Sequence, residues 1–299
     1  MYTIITPGGI SAIFDPYIYA DPIISGARGA GVGVDGAVEI TLSIRDSDRL
    51  EITNIINGNE VRGGIGEISV KTFFEIMRIE PKYKVKINQK INIPIGAGFG
   101  TSAASALGII ILLSRALKIP LTLIEAGDIA HIAEIRAGSG LGTVSGFVYL
   151  GDIVIVSRAG APSICLVDRI ILEGEDIYVV LASKGKKETA IALGDKKLIE
   201  RASMYGKILV DKIIANPTVE NFFQTSRLFA EKTGLMTKEI KATIDALEDI
   251  VIGASQAMIG DSIFALVFKE NMEEAKDVIR IKMGVEPYIC RLVRSGFKL

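Results

Sequence analysis

The sequence has a single histidine, two cysteines and no tryptophan among its 299 residues. One imidazole, His131, cannot build a metal site made of histidines, nor a mechanism that needs two of them. Cys165 and Cys290 are too few for a disulfide framework and stand in no CxxC metal pattern. Excess charge of either sign is also missing: 34 Lys and Arg face 35 Asp and Glu, for a net −1. No field therefore draws the chain to nucleic acid or to an anionic membrane. Long apolar runs are lacking too. The longest, Ala106 to Leu113, stops at Ser114 and Arg115, well short of the roughly 20 residues a membrane span needs. The opening MYTIITPGGISAIF shows neither a basic leader nor a small-residue cleavage site, which predicts a cytoplasmic protein without a signal peptide. No GxxxxGKS/T occurs, so the chain is not a P-loop enzyme.

What is present is an ordinary globular composition, 49% hydrophobic and 23% charged, enough for one large domain or two that share a face. The first half reads mostly as strands. Val38–Ile44 and Leu50–Ile56 alternate with period two, Asn57-Gly58 signals a hairpin, and Lys84–Asn88 alternates again. Helical spacing covers Glu67 to Ile79, Ser102 to Leu117 and Leu123 to Arg136. A short strand follows at Asp152 to Val156, and Ala159-Gly-Ala-Pro162 breaks the pattern, so a boundary is expected between Arg158 and Asp176. The second half predicts a strand at Ile177 to Leu181, three helices between Lys196 and Leu247, then strand, helix and strand from Ile263 to Val293. That order suggests an α+β sandwich with helices on one face.

The most informative stretch is Pro94-Ile-Gly96-Ala97-Gly98-Phe99-Gly100-Thr101-Ser102-Ala103-Ala-Ser105. Three alternate glycines let the backbone approach a polyanion closely. The apolar helix behind them points its free amides and positive dipole end into the loop. Hydroxyls in the first turn can add a hydrogen bond to phosphate or a ligand to Mg²⁺. The glycine spacing taken alone fits equally a tight strand-to-helix turn with an N-cap serine. A formal GxGxxG at Gly31 to Gly36 leads into a strand rather than a helix, the wrong context for a dinucleotide.

This segment resembles the central motif of the GHMP kinases. Pro7-Gly8 resembles their first motif, and Gly253-Ala-Ser-Gln-Ala-Met-Ile-Gly260 their C-terminal glycine motif, so the likeness spans nearly the whole chain. Ser25-Gly-Ala-Arg-Gly-Ala-Gly31, His131-Ile-Ala-Glu134, Gly138-Ser-Gly-Leu-Gly142 and Ser255 to Leu266 resemble the archaeal pantoate kinases of that superfamily. The resemblance implies an α+β GHMP kinase fold. A ribosomal-protein-S5-like half over 1–160 would bind ATP, and a ferredoxin-like half would cover 161–299. It also implies phosphorylation of the terminal hydroxyl of pantoate on the route to coenzyme A, with ATP and Mg²⁺, no nucleic-acid or membrane partner, and a homodimer as the family expectation.

Carried over by residue, Pro94 and Gly96 to Ala103 would wrap the phosphates, and Ser102 and Glu134 would hold Mg²⁺ and carry catalysis. His131 shares a helix face with Glu134 and is a candidate for the acceptor, although a lone histidine is more often structural. A hydroxy acid needs a cation for its carboxylate, and the guanidinium fork suits it. Arg28 and Arg158 are the candidates, with Ser25 adding a hydroxyl. Two positions depart from the pattern. Gly9 stands where the first motif commonly has a polar residue. Thr143 stands where pantoate kinases usually have an aspartate, the presumed base. Phosphoryl transfer depends chiefly on positioning and charge neutralisation, so a missing base does not exclude it. Two alternatives stay open on the residues alone: a GHMP kinase for homoserine, shikimate or mevalonate, and a nucleotide-binding relative without catalysis.

Overall fold

The computed structural model describes residues 1–149, 151–174, 176–185, 194–258 and 260–294. Its backbone is a long antiparallel ribbon. Tyr2–Tyr17 (β1) pairs with Gly26–Asp46 (β2) from Tyr2 opposite Leu42 to Tyr17 opposite Gly26, with register shifts between Thr6 and Gly8 and between Ser11 and Ile13. Val38, Ile40 and Leu42, one face of the alternation in the sequence, are all fully buried. Tyr83–Ile91 (β5) and Ile153–Arg158 (β6) lie along the other edge of β2, end to end. Between them that edge is met by Val34 bridging to Leu292 and by the Val293 amide donating to the Gly33 carbonyl. Glu51–Ile56 (β3) runs parallel to β5 and turns at Asn57-Gly58 into Asn59–Glu60 (β4). The Gly31–Gly36 match sits inside β2, as its context required.

Helices Gly64–Ile76 (α1), Thr101–Ala116 (α2) and Leu123–Ala137 (α3) pack together against this sheet. Twelve of the sixteen residues of α2 are buried, which explains its unbroken apolar run: a helix enclosed on all sides has no polar face. Thr122 caps α3 by accepting from the Glu125 amide while the Glu125 carboxylate accepts from Thr122, and Gly138 ends the helix in the left-handed region. This capping box fixes where the last turn, carrying Glu134, begins and stops.

Leu166–Ile170 (β7) pairs with β6, so the first sheet continues past residue 160 and the change of sheet falls within 171–176. The second sheet, antiparallel throughout, orders Ile177–Ser183 (β8), Gly253–Gln256 (β9), Ser262–Phe268 (β10) and Tyr288–Arg291 (β11) as β11-β8-β10-β9. Lys196–Ala215 (α5) follows the short helix Thr143–Val148 (α4) in sequence and packs on β1 and β2. Val219–Thr233 (α6), Lys238–Asp245 (α7) and Met272–Met283 (α8) are the remaining α-helices among the described residues. Val180, Ala182, Ile263 and Ala265 pack with Ile240, Ile244 and Ile279. Their neighbours Val179, Leu181, Phe264 and Leu266 join the main core with Phe222 and Phe223 of α6. The sequence predicted helices on one face; both faces are in fact covered, which is why β8 from Val179 to Ala182 and β10 from Ile263 to Val267 are unbroken apolar runs. Among the described residues no helix is long and apolar enough to cross a membrane.

Candidate active site

A cleft of about 150 Å³, partly open to solvent, lies between the glycine loop before α2, the middle of the β1–β2 ribbon and the turn after α3. Gly96, Gly98 and Gly100 adopt φ of 73°, 78° and 67°. Gly100 has no alternative, because a Cβ there would stand 2.4 Å from the Gly9 carbonyl oxygen. The Gly9 amide in turn donates to the Phe99 carbonyl at 3.1 Å, tying the loop to β1. No side chain caps α2. Its first-turn amides therefore have no side-chain acceptor, and Thr101 and Ser102 border the cleft. An uncapped sixteen-residue helix at a cleft wall is a ready acceptor of phosphate. Gly96, Gly98, Phe99 and Gly100 line the cleft, whereas Ala97 and Ala103 are buried beneath the loop and Pro94 precedes it.

Glu134 reaches the same cleft from α3 and is 1% exposed. Its Oε2 accepts from the Val144 amide at 3.4 Å, and no cation pairs with it among the described residues. Burial pushes its carboxyl up to about 7, against a smaller downward pull from the Val144 and Thr143 amides. A buried carboxylate without a countercharge, beside a hydroxyl and a phosphate-shaped loop, fits a hard divalent cation. Among the described residues no cluster of three or more His, Cys, Asp or Glu exists. Any such ion must then draw its remaining ligands from water and phosphate.

Thr143 opens α4 behind Gly142 and lines the cleft. Gly9 is accounted for by packing: a Cβ there would lie 2.2 Å from Cε2 of Phe147, whose ring fills the space. Ser11, Met258 and Gly140 also line the cleft; the latter two lie in motifs singled out in the sequence without a role at the site. Ser11 lines the cleft from β1, and its carbonyl accepts from the Met258 amide at 3.0 Å, which brings the C-terminal glycine segment to the cleft. Ile259 of that segment lies outside the described residues. Gly140 borders Glu134. The Pro7-Gly8-Gly9 stretch inside β1 carries no alternation that would mark Ser11 as part of a cleft wall.

The acceptor candidates separate. Arg28 lines the cleft. Arg158 lies in an adjoining depression with Tyr17 and Tyr19 that Arg28 also borders; its Nε donates to the Ile164 carbonyl at 2.7 Å. Ser25 and His131 are not on either wall. His131 is fully buried, and its Nε2 lies 2.9 Å from the Ser25 carbonyl and 3.0 Å from that of Pro22. Both partners are acceptors, so Nε2 carries the hydrogen, and burial lowers the pKa of the ring. The Ser25 hydroxyl is likewise engaged with the backbone of Tyr19 and Asp21. The structure thus corrects the expectation that these two side chains reach an acceptor: they fasten the turn from which β2 and Arg28 emerge.

Residues 68–151, which include the loop and Glu134, match the model of the GHMP kinases N terminal domain. Over 279 residues the chain is 31% identical to a pantoate kinase of Thermococcus kodakarensis, covering 91% of this chain and 90% of that one. The chain belongs to the GHMP kinase family. A pantoate kinase of Methanocaldococcus jannaschii is 28% identical over 96% of this kinase and 98% of its own length. Among solved structures, a phosphotransferase related to the CoA biosynthesis pathway superposes with a TM-score of 0.85 at 29% identity, covering 99% of this kinase and 97% of that chain. Homoserine kinase from Cytophaga hutchinsonii shares the fold at a TM-score of 0.74 and 18% identity, over 99% and 96% of the two chains.

Proposed function

We propose that this kinase transfers the γ-phosphoryl group of ATP to the terminal hydroxyl of pantoate, giving 4-phosphopantoate and ADP for coenzyme A synthesis. The observation that carries the reading is the meeting, in one cleft, of an uncapped helix behind a glycine loop, a buried unpaired carboxylate and an arginine. The pantoate kinases of Thermococcus kodakarensis, Methanocaldococcus jannaschii and Methanospirillum hungatei, at 28–31% identity, support the choice of acceptor.

In this reading the amides of Gly98 to Ser102 and the α2 dipole bind the β- and γ-phosphates and neutralise charge that develops during transfer. Ser102 and Glu134 would hold Mg²⁺, which when bound supplies charge neutralisation on the phosphate oxygens. Arg28 and Arg158 take the carboxylate of the acceptor, and Ser25 and His131 hold the turn that presents Arg28. The acceptor oxygen forms a bond to the γ-phosphorus as the bond from that phosphorus to the bridging oxygen breaks, releasing ADP. The hydroxyl proton ends on the phosphoryl group or in water, since the Thr143 hydroxyl is not a base at neutral pH. Such a transfer relies on alignment more than on a base.

The deciding experiment incubates the protein with Mg-ATP and pantoate, homoserine, shikimate or mevalonate in turn and measures ADP. Turnover with pantoate alone is expected. Turnover only with another acceptor replaces the substrate and keeps the fold. ATP binding without turnover on any of the four favours the second reading, a nucleotide-binding relative without catalysis, to which Thr143 points.

A further inference from the structure

Arg28 stands on β2 where the main cleft meets the depression holding Arg158. Its Nε donates to the Ser157 carbonyl at 3.0 Å, which fixes the plane of the guanidinium. Two carboxylates occupy the outer nitrogens. Asp15 Oδ2 lies 3.6 Å from Nη1, and Asp211 of α5 bonds to Nη2. These partners are unlike. The Asp15 side chain is 3% exposed and accepts from the Tyr17 hydroxyl at 3.0 Å, so it is a fixed, buried partner of Arg28. The Asp211 side chain is 57% exposed on the outside of a helix. Water can replace Arg28 as its partner at little cost.

Resting on the pantoate reading, we propose that Asp211 is a built-in competitor for the carboxylate of the acceptor at Arg28. It occupies the outer edge of the fork in the empty site and swings into solvent when a substrate carboxylate arrives. An incoming carboxylate can take that edge with both oxygens. A neutral alcohol cannot displace Asp211, because it brings no charge to replace the one lost. The exchange therefore selects hydroxy acids over other alcohols of the same size.

The test compares wild type with Asp211→Asn at saturating Mg-ATP. The variant should show a pantoate KM lower by about two- to fivefold, the size of an exposed ion pair, with kcat and the KM for ATP unchanged. Arg28→Gln should raise the pantoate KM, and in that background Asp211→Asn should have no further effect. An unchanged or higher pantoate KM in Asp211→Asn, with or without a fall in Tm, overturns the proposal and makes Asp211 a brace for α5. Absence of any turnover of pantoate by the wild type strikes the pantoate reading itself, an outcome separate from an unaltered KM.

Discussion

Gly140 lies so close against Glu134 that a Cβ on it would stand 2.3 Å from the carboxylate Oε1. The carboxylate is thus held from two sides, by this glycine and by the amide of Val144. The position of a candidate metal ligand is set by a residue that has no side chain.

Gly140→Ala should therefore displace Glu134 rather than unfold the chain. We expect kcat to fall at least tenfold, with a higher Mg²⁺ concentration needed for half-maximal rate. Steady-state rates across a Mg²⁺ titration check this, and a wild-type Mg²⁺ profile would refute it.

Glu134→Ala should lower turnover by orders of magnitude while the far-UV circular dichroism and the affinity for metal-free nucleotide are retained. Activity near wild type would remove Glu134 from the metal site.

Stability should depend on pH through the same carboxyl. It titrates near 4.5 in the unfolded chain and near 7 in the folded one. The folded state binds this proton more tightly, so its contribution is fully present below pH 4.5 and is lost as pH rises through 7. At pH 8 the ionised, unpaired group costs on the order of 3 kcal/mol. Glu134→Gln should raise the Tm of the ligand-free protein at pH 8 and leave it nearly unchanged at pH 4.5. Parallel melting curves at both values, with no gain at pH 8, would contradict the burial argument.

Gly100→Ala combines a left-handed φ of 67° with a Cβ only 2.4 Å from a backbone carbonyl. Backbone strain alone costs roughly 1–3 kcal/mol, and relief requires the loop to leave Gly9. Calorimetry should find nucleotide binding weakened at least tenfold. Unaltered affinity would show that the loop does not hold phosphate.

His131→Ala should lower Tm by several degrees, with any rise in acceptor KM small beside it. A large KM increase at constant Tm would return His131 to the acceptor site.

Much of this was legible in the sequence for a physical reason. Val38 to Ile44 and Lys84 to Asn88 each have one buried and one wetter face, so their alternation survives in the residues. The alternate glycines before α2 mark a strand-to-helix turn, and only the resemblance to the GHMP kinases singles that turn out as a phosphate loop. β1 and the first part of β2 were not read as a paired ribbon. Gly8 and Gly9 leave room for Phe99 and Phe147, Gly29 and Gly31 for the Ile13 and Ile10 carbonyls of β1, and glycine carries no period. The short α4 starts directly behind Gly138-Ser-Gly-Leu-Gly142 and is too brief to show a helical period. His131 and Ser25 show the opposite failure. Their chemistry suited an acceptor, but burial and partners come from the fold, and a residue type cannot show which way its hydrogen bonds are used.

Leu292 and Val293 fill the gap between β5 and β6 on the edge of β2, directly after β11 has paired in the other sheet. Strands far apart in sequence thus close the first sheet, and loop-closure entropy must be overcome before that pairing is rewarded. Folding should accordingly be slow and its unfolding a single cooperative transition, the phosphate loop and the acceptor pocket melting together instead of as separable modules.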